Sequence, residues 1–176
     1  GLGDVYKRQV VVQFDKDGVQ YQRKYFISYP DSVMVMKFTA NQSGKQNLIL
    51  SYCPNSEAKS NLRADGKDGL VYTGVLDNNG MKFAFRIKAI HKGGTLEAEN
   101  DRLIVKGADE VVFLLTADTD YKMNFNPDFK DPKTYVGNDP EQTTRIMMDQ
   151  AVQKGYDELY RNHEADHTAL FNRVRL

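Results

Sequence analysis

What this 176-residue chain has little of narrows its class before any pattern is read. It holds one cysteine, Cys53, so no internal disulfide can staple it, and cysteine usage leaves the redox compartment open. It has no excess charge of either sign: 24 basic and 24 acidic residues cancel, and nothing draws the chain toward nucleic acid or an anionic membrane. No apolar run approaches the ~20 residues that a membrane-spanning helix needs. Nucleophile motifs are missing as well. There is no G-x-S-x-G, and Cys53 sits beside Pro54 with no assigned histidine partner. No glycine-rich phosphate loop occurs; Gly93-Gly94 follows a strand but opens no helix. What is present is ordinary for a globular domain with a real core, 40% hydrophobic and 27% charged residues.

The organising stretch is Tyr21 to Ala40, YQRKYFISYPDSVMVMKFTA. It reads as two strands broken at Tyr29-Pro30-Asp31-Ser32, because Pro30 cannot donate to a ladder and holds its predecessor extended. In the second arm Met34, Met36, Phe38 and Ala40 share one face, and Val33, Val35 and Thr39 the other. Both faces are largely apolar, so this arm is expected inside a sandwich, covered on each side. Before it, Val10 to Phe14 and Val19 to Ile27 pair around Asp15-Lys16-Asp17-Gly18, and Gln46 to Tyr52 follows it.

Cys53 to Gly69 is turn-forming and reads as a long surface loop. Strands resume at Leu70 to Leu76 and Met81 to His91, where Met81, Phe83, Phe85, Ile87 and Ala89 alternate with Lys82, Arg86 and Lys88. A hairpin of Thr95 to Asn100 with Arg102 to Lys106 leads to Val111 to Ala117, an apolar run suited to a central strand. Asp118 to Gly137 reads as a second long loop. A helix is predicted from Asp139-Pro140-Glu141-Gln142, an N-cap with proline at the first position and a capping-box glutamine. Its stripe is Ile146, Met147, Gln150, Ala151 and Lys154, and Gly155 ends it. A second helix, Tyr156 to Arg173, carries Leu159, Tyr160, His163, His167, Leu170 and Phe171 near one side. About nine strands followed by two helices give a mainly β fold: an antiparallel sandwich over residues 10–138, then a helical segment over 139–176.

Four groupings invite chemistry. His163, Asp166 and His167 lie at i, i+3 and i+4, a metal-ligand spacing, but only His91 remains to complete a set, so helix packing is the better reading. Asp118-Thr119-Asp120-Tyr121 sets two carboxylates beside an aromatic at a strand end, where sugar or calcium would fit; a turn with side-chain-to-backbone bonds explains it more simply. Asp65 and Asp68 flank Gly66 without EF-hand spacing. Tyrosine and phenylalanine make up 11% of the chain; such rings suit carbohydrate stacking, yet most fall in strands as core. Nothing singles out a catalytic pair among the carboxylates. No catalytic, cofactor-binding or metal residue is therefore assigned, and no cofactor.

Residues 1–9 read as non-native: Asp4 to Gln9, DVYKRQ, looks like a translated transposon end from library preparation, against the alternative of a native strand start at Val5-Tyr6. The first residue is glycine and the last is Leu176, and the chain is read as an internal fragment.

Four pieces in order carry a resemblance: GVQYQRKYFISYPDSVMVMKFTA, GLVYTGVLDNNGMKFAFRIKAIHKGGTL, GADEVVFLLTADTDY and YDELYRNHEADHTALFNRVRL. Together they resemble the N-terminal β-sandwich domain of glycoside hydrolase family 95, the α-L-fucosidases, with family 65 phosphorylases as the nearest alternative. The resemblance implies a β-supersandwich, here incomplete before Val10, then a helical linker from Asp139 to Phe171, then an (α/α)6 barrel outside this sequence. It implies inverting hydrolysis of terminal α-1,2-linked fucose by acid and base groups of that barrel, so no catalytic residue transfers to this chain, and the fragment alone is expected to be inactive. The implied partners are the barrel and, through the full-length parent, a fucosylated glycan. The implied setting is a bacterial glycan degrader, periplasmic or secreted. A stand-alone carbohydrate-binding or protein-interaction sandwich is the rival from another class.

Overall fold

The structure is a computed structural model that describes residues 2–4, 8–52, 58–123 and 137–173, with only the backbone described for 2–4. Cys53 and the prolines at 127 and 132 lie outside the described residues.

The chain is mainly β. A large antiparallel sheet has the order β1 (Leu2–Asp4), β2 (Gln9–Lys16), β3 (Val19–Ser28), β4 (Val33–Ala40), β11 (Glu110–Thr119), β8 (Lys82–Lys92), β7 (Gly69–Leu76) and β6 (Ala58–Ala64). A small antiparallel sheet has the order β5 (Gln46–Ser51), β10 (Arg102–Ala108) and β9 (Thr95–Ala98). One helix, α1 (Pro140–Phe171), closes the described chain.

Period-two alternation in β4 and β11 sorts side chains to two faces, and each face has its own cover. Val111 and Phe113 of β11, with Leu70, Ile87 and Ala89, pack against Leu103, Val105 and Ala108 of the small sheet, and Met36 and Phe38 join them. Val33 and Val35 of β4, with Val112, Leu114 and Phe26, pack instead against Met148, Ala151 and Leu159 of α1. The result is three layers: small sheet, large sheet, helix. The expectation that β4 is covered on both faces holds. Gly94 makes the sharp corner from β8 to β9: its φ is +63°, and a Cβ there would lie 2.2 Å from the Lys106 carbonyl oxygen.

Several expectations need correction. The long loop from Cys53 to Gly69 contains β6, paired along its length with β7. It escapes detection because it is an edge strand: Lys59, Ser60 and Asn61 are exposed, and Leu62 alone is a large apolar residue joining the core between the sheets. The loop read from Asp118 begins later, because β11 runs through Thr119. The two predicted helices run on as one element, α1, but the break expected at Gly155 is there: the residue takes non-helical φ 71° and ψ 171° and kinks it. The predicted stripe of the first arm holds only at Ala151, which is buried with Thr144 and Met148, whereas Ile146 is half exposed. In the second arm Leu159, His163 and His167 are buried, but Leu170 and Phe171 are not.

Candidate functional site

The feature with the most specific geometry is the seat of α1 on the large sheet. Asp139 caps the helix as predicted, its carboxylate accepting from the Glu141 N–H at 3.1 Å, and Pro140 follows at the first position. Beneath the first turns, Arg63, Val71, Arg86 and Thr116 stand side by side on four successive strands. The helix touches both ends of that row. Arg63 donates to the Glu141 carboxylate at 2.5 Å, and the buried Thr116 hydroxyl donates to the Thr144 carbonyl at 2.9 Å. Thr144 can be buried because its hydroxyl donates back to the Pro140 carbonyl.

Arg86 lies in the middle of the row, 2% exposed and ion-paired to Asp65, while its Nε and Nη2 have no hydrogen-bond partner among the described residues. Sequence alternation placed Arg86 on a charged face with Lys82 and Lys88. What buries it is a helix that begins more than 50 residues further on, which no local pattern announces.

After Gly155 the second arm returns to the sheet through aromatic contacts. Phe26 meets Tyr160 edge-on at 5.5 Å, Tyr156 edge-on at 5.9 Å, and the His163 ring in a stack at 5.0 Å. Lys37 sits 4.2 Å from the centre of the Tyr156 ring and binds Glu110 at 2.7 Å. Burial pushes the Tyr156 hydroxyl pKa up, and the negative charges of Asp157, Glu110 and Glu164 add to that.

Asp31, at the tip of the β3–β4 turn, reaches both arms. Its side chain is 2% exposed. It accepts from Lys154 Nζ at 2.6 Å, from Asn162 Nδ2 at 3.1 Å and from Ser28 Oγ at 2.5 Å. Burial alone pushes its carboxyl pKa up; the bonds from Lys154, Ser28 and Asn162, with the Lys154 charge, more than offset this and hold it below the usual 3.8. Ser32, the next residue, has φ +51°, a left-handed conformation that a non-glycine residue adopts at some cost.

The groupings singled out in the sequence resolve as follows. His163 and His167 face inward, His163 on Phe26 and His167 edge-on to Phe171 at 5.7 Å. Among the described residues no group of three or more His, Cys, Asp or Glu side chains is placed to hold a metal ion. Asp120 is a turn residue: its carboxylate accepts from the Lys82 N–H at 2.9 Å and its carbonyl from the Gly137 N–H at 2.8 Å. Asp65 is taken by Arg86, and Asp68 lies 3.2 Å from Lys88. Two open concavities stand out among the described residues. One of about 410 Å³ lies at the start of α1, between Asn61, Lys82 and Glu141. The other, of about 390 Å³, is lined by Phe14, Tyr21, Gln22 and Asn41, with the Phe14 and Tyr21 rings stacked at 5.1 Å.

These carboxylates serve structure. Burial pushes the Glu110 carboxyl up, but hydrogen bonds from Lys37 and Lys92 and their charges bring it below its ordinary value. A bond from Arg102 lowers Asp101. A glycosidase general acid needs the opposite displacement, upward, so that it is still protonated near neutral pH. Asp31, Asp101 and Glu110 are therefore poor candidates for that role.

Fold and seat together define a class: a two-sheet antiparallel β domain with a bent helix strapped across its larger sheet. The chain belongs to the glycosyl hydrolase family 65 N-terminal domain family, whose model matches residues 5–124. It is 26% identical over 165 residues to "Probable alpha-fucosidase A" of Aspergillus niger, an alignment covering 88% of this chain and 20% of that protein. It is likewise 26% identical over 189 residues to "Alpha-L-fucosidase 2" of Arabidopsis thaliana, covering 94% of this chain and 22% of that one. The chain thus spans about a fifth of the length of these curated relatives. Among solved structures, the "Putative kojibiose phosphorylase from human microbiome" superposes with a TM-score of 0.60 at 6% identity, over 96% of this chain and 24% of that chain, a likeness of fold.

Proposed function

We propose that this chain is the scaffold half of a fucose-releasing glycosidase of the family 95 type, and that α1 is the linker leading to a catalytic (α/α)6 barrel. The observation that carries the reading is coverage. Two proteins named as α-fucosidases align with nearly all of this chain, while the chain accounts for only 20% and 22% of their lengths. The reactive groups then belong to the parent's remaining four-fifths, in keeping with the committed, ion-paired carboxylates found here. The domain's task is mechanical: it holds the linker, and through it the barrel, in one orientation. Two experiments test this. The purified 176-residue chain releases no fucose from a 2′-fucosylated oligosaccharide, and turnover by the pure chain refutes the assignment. The full-length parent releases β-L-fucose first, the inverted anomer, visible by proton NMR before mutarotation.

A second reading has its own support. The family matched is named for family 65, and the solved structure named above is described as a phosphorylase. Under that reading the parent cleaves its glycoside only with inorganic phosphate and yields a sugar 1-phosphate. Assaying the parent with and without phosphate separates the two. A stand-alone carbohydrate-binding module rests on the Phe14–Tyr21 groove, and predicts saturable binding of fucosylated oligosaccharides by this chain.

A further inference from the structure

We propose that Asp31 is a clasp that fixes the bend of α1 and so sets the direction in which the chain leaves the domain. The bend is made at Gly155. Its φ of 71° and ψ of 171° lie in a region open essentially to glycine alone, and a Cβ at that position would touch nothing within 4 Å. Gly155 itself therefore makes no contact that would hold its angle, and what holds it comes from the residues on either side, Val152 and Tyr156 among them packed on the core. A chain bent at an unpacked glycine is a hinge unless something outside it ties the two arms together.

Asp31 is placed to do so. Lys154 immediately precedes the hinge and Asn162 lies two turns beyond it, yet both donate to this one carboxylate, at 2.6 and 3.1 Å. The carboxylate cannot swing with the helix. Ser28 Oγ holds its second oxygen at 2.5 Å, and the Tyr29–Ser32 turn that carries it is closed by the Ser32 N–H on the Tyr29 carbonyl at 3.2 Å. A rigid acceptor with one donor on each side of a hinge fixes the angle between the arms. Apolar contacts alone do not fix it equally well, because burial is non-directional and tolerates sliding. Beside the Phe26 contacts of Tyr156, Tyr160 and His163, the second arm thus gains a directional tie to a charged group more than 120 residues away in sequence.

The clasp itself does not depend on the fucosidase reading; only its consequence, the placing of a following domain, rests on it. The test is hydrogen exchange on the 176-residue chain with Asp31→Ala. Amides of residues 156–171 are expected to exchange about tenfold faster, the factor that ~1.4 kcal/mol represents, while those of 140–154 and of β11 change little. Spin labels at Lys45 and Thr168, with Cys53 replaced by serine, are expected to show the distance distribution broadening in the same variant. Uniform acceleration in both arms and the sheet, or no change in the second arm, overturns the proposal. Should Asp31→Ala fail to fold, Lys154→Ala and Asn162→Ala decide the matter in a double-substitution cycle. Both side chains donate to Asp31, so their effects on second-arm exchange are expected to be less than additive; strict additivity overturns the clasp. Inactivity of the parent on fucosides would sink the functional reading and leave these outcomes untouched.

Discussion

The two faces of the large sheet are held by different physics. Toward the small sheet the contact is mainly apolar, with the buried Gln46 as a polar exception: Leu70, Ile87, Phe113, Leu103 and Val105 are each at most 4% exposed, and burying a side chain of that kind contributes roughly 1.5–3 kcal/mol. Toward α1 the apolar strip of Val33, Val35, Val112 and Leu114 is flanked by polar contacts with fixed geometry: Arg63–Glu141, Thr116–Thr144, Lys37 over the Tyr156 ring, and Asp31 with Lys154 and Asn162. The lesson is a division of labour. Non-directional burial makes the domain stable, and hydrogen bonds with narrow angular tolerance decide where the helix lies.

The comparison breaks most visibly in the apolar face. Phe113→Ala removes a ring that packs edge-on to Phe38 at 5.6 Å in the middle of the sheet. It is expected to cost about 3–5 kcal/mol in urea unfolding, enough to leave a marginal domain largely unfolded. The helix face should answer Gly155→Ala more mildly. With no atom near the new methyl group, the cost is the backbone's alone, roughly 1–3 kcal/mol, and it is confined to exchange in α1. Loss of the whole sheet's protection in that variant would contradict the division.

Acid acts on the same interface with a defined sign. Asp31 and Glu110 both have folded pKa values below their ordinary 3.8 and 4.5. Each therefore contributes stability that is present above those ordinary values and is lost as pH falls through the lower folded ones. The urea midpoint is expected to hold from pH 7 to about pH 5 and then decline toward pH 3, less steeply in Asp31→Asn. An unchanged slope in that variant would show that Asp31 carries none of the acid response.

These asymmetries explain what the sequence made legible. β4 and β11 were readable because cover on both faces makes runs such as Val33 to Phe38 and Val111 to Leu115 almost continuously apolar, and β3 and β8 because their side chains alternate with period two. The Asp139-Pro140 start and the Gly155 break were readable because caps and breaks are local chemistry. β6 was not, since an edge strand keeps polar residues to avoid pairing with other chains. The phase of α1's first arm was missed because its buried face carries Thr144, whose hydroxyl is satisfied within the helix by the Pro140 carbonyl, whereas in the second arm the grouping of Leu159, His163 and His167 on one side was legible, and all three are buried. The Asp31 clasp lay furthest out of reach. Asp31 in Tyr-Pro-Asp-Ser is a fair turn residue on its own, and its partners at 154 and 162 become visible only once the helix lies on the sheet.

The smallest expected effect is also the sharpest test of the division. Thr116→Val keeps the shape of a side chain that is 1% exposed and deletes only the hydroxyl that reaches the Thr144 carbonyl. That carbonyl sits inside α1, where the helix's own ladder also offers it a donor, so the substitution leaves no orphaned acceptor. The cost is expected at about 0.5–1.5 kcal/mol, read as a shift in urea midpoint with unchanged slope. If burial alone positions the helix, the extra apolar methyl of valine makes the variant neutral or slightly more stable. If the polar row positions it, the first arm exchanges faster even where global stability barely moves. Exchange at residues 140–154 therefore discriminates where the midpoint cannot, because directional bonds restrict the helix's freedom to slide more than they deepen its well.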